Sequence, residues 1–385
     1  MKILWHSSAP TTRTGYGIQT REIIRRLIKD GHEVAVATKH EYLRRDSWEG
    51  IEIFEGTDTY FVNQLIEREK FDIIFTFWDI WAIWGRRFYP KDRWIAYAPV
   101  NTEPLSPFYL EVLQNTATQV AMTRHGERIL RESGFSPLYA PHGIDISIFK
   151  PEPEMGLRFR RNIGWADDNF VIGLVGLNYS DDVKGVIPLL LAFREFHMAH
   201  PEARLFLCTL ANEREAVKTC INYHYIVKTL GLEGLVGWPD QLDYFLSRLS
   251  EEDLVAYYNG MDVFCLPTSG ESFGLPILEA QACGVPVITT DAASGPELCR
   301  TGWLIDIDRI DDASWIPVGC WRFRPKPSAI LRCLEVAYNA WKWSDYGKLR
   351  RLARERVLEY DWDSVWDTHW RPVWQALEAK YGKQA

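Results

Sequence analysis

The chain has 385 residues, 46% of them hydrophobic and 25% charged, with a formal net charge of -8. Its length exceeds one typical core, so two domains are expected, and the composition is that of a soluble globular protein. The acidic balance argues against nucleic acid or an anionic membrane surface as a partner.

Met1-Lys2-Ile3-Leu4-Trp5-His6 reads as a first strand, not as a signal peptide. The loop Thr14-Gly15-Tyr16-Gly17 follows, then an amphipathic helix over 18–29 and a second strand over 33–38. This is a Rossmann-like start, with a glycine turn at the carboxyl end of the first strand but without the full G-x-G-x-x-G spacing. Residues 71–77 and 94–98 read as further buried strands. The most apolar stretch, 71–84, is interrupted by Asp72 and Asp79 and is too short to span a bilayer. Trp78, Trp81 and Trp84 recur every three residues and read as packing residues ahead of an aromatic stacking platform for a ligand. Val100-Asn101-Thr102-Glu103-Pro104 lies at a strand's carboxyl end. A strand ending at 121–124, a helix stopped by Gly134, and the turn Pro141-His142-Gly143-Ile144-Asp145 complete the first domain. Lys150-Pro151-Glu152-Pro153-Glu154 is a proline-broken linker, which sets domains at 1–150 and 151–361.

The second domain opens with an apolar strand over 170–177, the loop Asn178-Tyr179-Ser180-Asp181-Asp182-Val183-Lys184-Gly185, and a helix over 186–197. The sequon at Asn178 is set aside, since nothing points to secretion. Strands follow at 203–208 and at Val236-Gly237, before Trp238-Pro239. Asp262-Val263-Phe264-Cys265-Leu266 is a buried strand, followed by the turn Pro267-Thr268-Ser269-Gly270 and then by Glu271-Ser272-Phe273-Gly274-Leu275-Pro276-Ile277-Leu278-Glu279. Pro276 suits the first turn of a helix, Gly284-Val285-Pro286 ends it, and the strand Val287-Ile288-Thr289-Thr290 begins at once. Backbone N–H groups at that helix start form an anion site. Glu271 stands beside it, and Glu279, about one turn inside the helix, can face the same crevice. A phosphate site with two carboxylates able to accept from hydroxyls fits a sugar nucleotide. Seven cysteines without a C-x-x-C pair read as reduced core residues of a cytoplasmic protein.

Glu271 and Glu279, with seven residues between them and SFGLPILEAQACGVPVITT around them, resemble the E-x7-E signature of glycosyltransferase family 4. The resemblance implies the α/β GT-B fold, two Rossmann-like domains with parallel sheets facing across a cleft. It also implies a nucleotide-sugar donor, a hydroxyl acceptor and retention of anomeric configuration. Residues 362–385 then form the final helix that packs back on the first domain. Donor contacts are implied for Gly17, Asn178, Lys184, Trp238, Glu271, Ser272, Phe273, Gly274, Leu275 and Glu279. Glu271, Lys184 and Asn101 are the catalytic candidates; His142, Glu103 and Glu297 are further ones.

Two departures stand out. The family's amino-domain histidine or aspartate is replaced, by Asn101 or by Glu103. The loop arginine that accompanies the lysine is absent, since Leu177 or Asn178 stands there. The donor would be UDP- or GDP-linked, with no cofactor or metal. Asp306-Ile307-Asp308 and Asp361-Trp362-Asp363 have the D-x-D spacing of metal sites in the other glycosyltransferase fold, but they follow the E-x7-E stretch and read as solvated turns. Nothing in the sequence indicates membrane association, and it leaves the oligomeric state open. A sugar-nucleotide epimerase or phosphorylase of the same fold, or a non-catalytic homologue, is the alternative.

Overall fold

Runs of apolar residues with no polar alternation make strands buried on both faces, and such strands dominate this chain. A computed structural model describes residues 1–38, 47–56, 59–79, 89–177, 181–211, 221–316 and 319–382. Two α/β units result. The first comprises Met1–Gly143, Trp315–Trp321 and Trp362–Ala385; the second comprises Ile144–Ser314 and Arg322–Asp361. The division falls between Gly143 and Ile144, earlier than the linker at 150 to which the sequence pointed, and it assigns 315–321 to the first unit.

The first unit holds an eight-stranded sheet: β1 (Lys2–His6), β2 (Glu33–Thr38), β3 (Ser47–Trp48), β4 (Ile51–Glu55), β5 (Ile73–Thr76), β6 (Trp94–Ala98), β7 (Thr118–Ala121) and β8 (Leu138–Tyr139). The order is β3-β4-β2-β1-β5-β6-β7-β8. All neighbours are parallel except β3 and β4. Chain order reverses between β1 and β5, so the loops after these strands diverge and leave a crevice at their carboxyl ends.

Aromatic residues fill this unit's core. Trp5 stacks on Phe75 at 4.6 Å, and Phe75 lies 5.2 Å from Trp374. The last segment is helical from Trp362–Val365, widens into a π-turn over Trp366–Trp370, and continues as Arg371–Tyr381. Trp366, Trp370 and Trp374 follow one another at four-residue spacing down this segment and stack at 6.4 and 6.3 Å. Their indole N–H groups do not all stay unpaired: Trp370 donates to the Pro141 carbonyl at 3.0 Å and Trp366 to Asp30 at 3.1 Å.

The second unit has a six-stranded parallel sheet: β9 (Phe170–Val175), β10 (Ala203–Cys208), β11 (Val236–Gly237), β12 (Val263–Leu266), β13 (Val287–Thr290) and β14 (Gly302–Ile305), in the order β11-β10-β9-β12-β13-β14. A two-stranded ribbon, β15 (Ala313–Ile316) and β16 (Cys320–Phe323), follows it in the chain. Here the order reverses between β9 and β12. The loops leaving these two strands carry Lys184 and Glu271.

Those two loops interlock. The Val183 carbonyl accepts from the Ser269 N–H at 2.8 Å and from the Thr268 hydroxyl at 3.0 Å. Gly185 sits in the left-handed region at φ +71, and a Cβ there would lie 2.1 Å from the Pro267 oxygen. Gly185→Ala is therefore expected to destabilise the unit by ~1–2 kcal/mol from backbone conformation alone, with displacement of Pro267 adding to it. Denaturant unfolding of the variant measures this; an unchanged midpoint would mean that the loops do not need to touch. Among the described residues no helix is long and apolar enough to cross a membrane.

Candidate functional site

Two helices start at the reversal point of the second unit, and their N-termini are treated differently. The helix Val186–Ala199 is closed by its own loop. Asp182 is buried, and its carboxylate accepts from the N–H of Val186 at 3.1 Å and of Ile187 at 3.0 Å, and from the Tyr223 hydroxyl at 2.9 Å. A second anion gains little there, because the orphan donors are already satisfied. The helix Leu275–Ala282 begins at Gly274 with no side-chain cap. Of the two, this is the helix end with room for an anionic ligand.

Lys184 and Glu271 meet in front of it. The Lys184 ammonium bonds the Glu271 carboxylate, with side-chain exposures of 18% and 16%. Each side chain is half-buried. A ligand carrying a phosphate and hydroxyls can replace both halves of this pair: phosphate oxygens take the ammonium, and hydroxyls donate to the carboxylate.

Glu279 lies deeper. It is buried, and Tyr258 donates its hydroxyl to Glu279 Oε2 at 2.7 Å. Burial pushes this carboxyl up to about 7; the Tyr258 hydrogen bond works in the other direction, and Glu251 adds a small rise. A carboxyl whose titration is raised to near neutrality is found more often at functional positions than elsewhere.

The neighbouring motif residues contribute backbone more than side chain. Phe273 is buried and faces Tyr360 with ring centroids 6.4 Å apart. Ser272 and Leu275 are half-buried beside it. Glu297 is half-buried in the first turn of the short helix Gly295–Leu298, after β13. Trp238 lies past β11, two strands from the reversal point. Its ring meets His224 at 4.8 Å, and both line a groove of about 440 Å³ with Asn222, Tyr225 and Lys228. The structure thus brings together Lys184, Glu271, Gly274 and Leu275, while Trp238 stands apart from them. Asn178 lies outside the described residues, as do Trp81 and Trp84.

In the first unit, the space a Gly17 side chain would fill is taken by its own loop. A Cβ there would lie 2.0 Å from Thr12 Oγ1, and the Gly17 N–H is donated to Thr14 at 3.1 Å. This geometry gives Gly17 a part in building the turn. Asn101 is half-buried just beyond β6. Glu103 pairs with Arg128 at 3.3 Å. His142 is buried, with Nδ1 at 3.0 Å from the Tyr97 hydroxyl, and burial drops its imidazole to about 3. It is neutral at physiological pH.

The acidic D-x-D segments have other partners. Asp308 accepts from the N–H of Ile310 at 2.8 Å and of Asp311 at 3.0 Å, which lowers its carboxyl. Asp363 pairs with Arg26 at 2.8 Å. Among the described residues no group of three or more His, Cys, Asp or Glu side chains is placed to hold a metal ion.

Sequence reasoning did not find Asp182, Tyr223, Tyr258 or Arg322. Arg322, on β16, pairs with Asp181 at 2.9 Å, and its Nε is buried without a hydrogen-bond partner. It brings a guanidinium to the same loop that carries Lys184.

Residues 169–314, less than half of the chain, match a family model described as "Glycosyl transferases group 1". The chain is 32% identical to a D-inositol 3-phosphate glycosyltransferase of Corynebacterium jeikeium over 43% of this chain and 39% of that one. It is 27% identical to a GDP-mannose-dependent alpha-(1-6)-phosphatidylinositol monomannoside mannosyltransferase of Mycolicibacterium smegmatis over 63% of this chain and 64% of that one. The aligned part is thus under two thirds of the length of either relative. Among solved structures, sucrose-phosphate synthase from Thermosynechococcus elongatus superposes with a TM-score of 0.74 at 17% identity, covering 98% of this chain and 99% of that one. Anabaena HepE in complex with UDP superposes with a TM-score of 0.70 at 17% identity, covering 98% and 100%. At these identities the likeness establishes the fold: this chain has the GT-B fold, α/β with parallel sheets in two domains.

Proposed function

We propose that this chain is a retaining glycosyltransferase of family 4, which moves a sugar from a UDP- or GDP-linked donor to an acceptor hydroxyl. The observation that carries the reading is the uncapped helix start at Gly274 and Leu275, faced by the Lys184–Glu271 pair at the reversal point of a parallel sheet. Sheets of this kind bind ligands at that point.

In the reaction the bond between the sugar's anomeric carbon and the diphosphate breaks. The diphosphate leaves with the electron pair, and the acceptor oxygen bonds the same face of the sugar. The acceptor's proton passes to the departing phosphate oxygen. Negative charge grows on the diphosphate, where fixed N–H groups and the Lys184 ammonium stabilise it. Glu271 accepts from hydroxyls of the sugar, and Glu279 from those of the ribose. The two relatives are named as glycosyltransferases, one of them GDP-mannose-dependent, and HepE was solved with UDP, which supports a nucleotide-sugar donor. The scheme uses no metal or other cofactor. The buried thiols of Cys208, Cys265 and Cys283 suit a reducing compartment, and we assign the chain to the cytoplasm.

Glu271→Gln tests the division of roles. It keeps size but replaces an acceptor by a donor. Affinity for the bare nucleotide diphosphate should change little, while turnover with the full donor drops by ~10-fold or more. Equal losses in both would move Glu271 onto the nucleotide. A wild-type chain that releases no nucleotide diphosphate from any UDP- or GDP-sugar, with any acceptor, would favour a non-catalytic binding role.

A further inference from the structure

The ribbon β15–β16 carries a feature that the donor chemistry does not use. Its two tryptophans, Trp315 and Trp321, lie edge to face with ring centroids 4.9 Å apart and an interplanar angle of 73°. They remain 58% and 41% exposed. Exposing two indoles costs burial energy that a purely structural ribbon would recover by turning them inward.

This part of the ribbon belongs to the first unit and is anchored there by backbone. Trp321 donates its N–H to the Glu103 carbonyl at 3.1 Å and forms a bridge with that residue. At the turn, a Cβ on Gly319 would lie 2.9 Å from the Pro107 ring. The tryptophan pair is therefore fixed at the segment that leaves the carboxyl end of β6. The Glu103 carboxylate there pairs with Arg128 at 3.3 Å, and both side chains keep solvent access, 33% and 45%.

A flat indole face beside an exposed carboxylate and guanidinium matches one ligand chemistry closely. A pyranose ring offers a face of C–H groups to an aromatic ring and a rim of hydroxyls to charged hydrogen-bonding groups. A lipid surface would gain from the indoles but would have to desolvate Glu103 and Arg128, which is costly. We propose that Trp315 and Trp321, with Glu103 and Arg128 at their base, form a saccharide-binding platform that engages the acceptor. The acceptor is then itself a glycan or carries one. This role as an acceptor platform rests on the glycosyltransferase reading; the binding of saccharide does not.

The test uses the full chain, an array of α- and β-linked hexose oligosaccharides, phosphatidylcholine vesicles, and calorimetry with UDP and GDP. The wild type should bind at least one oligosaccharide. Trp315→Ala/Trp321→Ala should weaken that binding tenfold or more, with an unchanged melting temperature and unchanged nucleotide affinity. Trp315→Phe/Trp321→Phe, which keeps aromatic faces, should retain most of it. The proposal is overturned if no oligosaccharide binds, if the alanine variant binds as well as wild type, or if the tryptophans are needed only for vesicle binding. Tryptophan-dependent oligosaccharide binding by a chain that binds neither nucleotide would leave the platform standing and remove the donor reading instead.

Discussion

Lys184→Ala is expected to lower turnover by ~10²-fold or more, the loss found when one preorganised charge-stabilising donor is removed. The effect on stability should be small. The Lys184–Glu271 pair is half-buried, with 18% and 16% exposure, so its contribution lies between the about 0–1 kcal/mol of a solvent-exposed pair and the roughly 3–5 kcal/mol lost when a buried pair is broken, toward the lower end because Glu271 keeps solvent access. In a unit of this size, 1 kcal/mol moves the melting temperature by roughly 2–4 °C. Turnover and stability should thus separate widely, which a structural lysine would not allow. Lys184→Arg keeps the charge and should restore part of the rate. Steady-state release of nucleotide diphosphate, with a melt on the same samples, is the measurement. Near-normal turnover in Lys184→Ala would transfer the role to another cation. Arg322 is then the first candidate, because it reaches the same loop through Asp181 and its Nε has no hydrogen-bond partner.

The part of this site that the sequence made legible is the part built from contiguous signals. β12, the glycine turn, the helix Leu275–Ala282 and β13 follow one another without interruption, so apolar runs and Gly/Pro punctuation mark each boundary. The parallel α/β class was legible for the same reason. What stayed hidden depends on partners distant in the chain. Asp182 sits in a run of polar loop residues, and only the fold aims it at the helix start and at Tyr223. Tyr258 and Glu279 stand on separate helices. The ribbon has no marked period, and its attachment to Glu103 is a tertiary fact. The reason for a glycine at Gly17 was hidden too: its close approach to Thr12 is made by the folded loop and leaves no mark in the local sequence. The tryptophans, without an account at the level of sequence, include three that stack along the last segment.

Glu279→Gln should weaken binding of the nucleotide diphosphate while making the unliganded protein more stable at alkaline pH. The reason lies in the burial that pushes the Glu279 carboxyl up to about 7, from an ordinary value of 4.5. Below about 4.5 the group is protonated in both folded and unfolded states and favours neither. Between about 4.5 and 7 the folded state holds a proton that the unfolded state has released, so stability falls as pH rises through this window. Above it the penalty is complete. Glutamine carries no charge to desolvate, so the variant should lose less melting temperature than wild type between pH 4.5 and 8. Binding has the opposite sign. In the role proposed for Glu279, an ionised carboxylate accepts from ribose hydroxyls more strongly than a neutral carboxyl, so the wild-type affinity should rise as pH passes through neutrality, and the variant should show no such rise. At pH 8 the lost interaction should amount to roughly 1.5–3 kcal/mol, the range for hydrogen bonds to a charged group. Calorimetry at pH 6 and 8, beside melts of the unliganded chains, reads both effects. Parallel pH profiles for wild type and variant in both measurements would remove Glu279 from the nucleotide and leave it a buried partner of Tyr258.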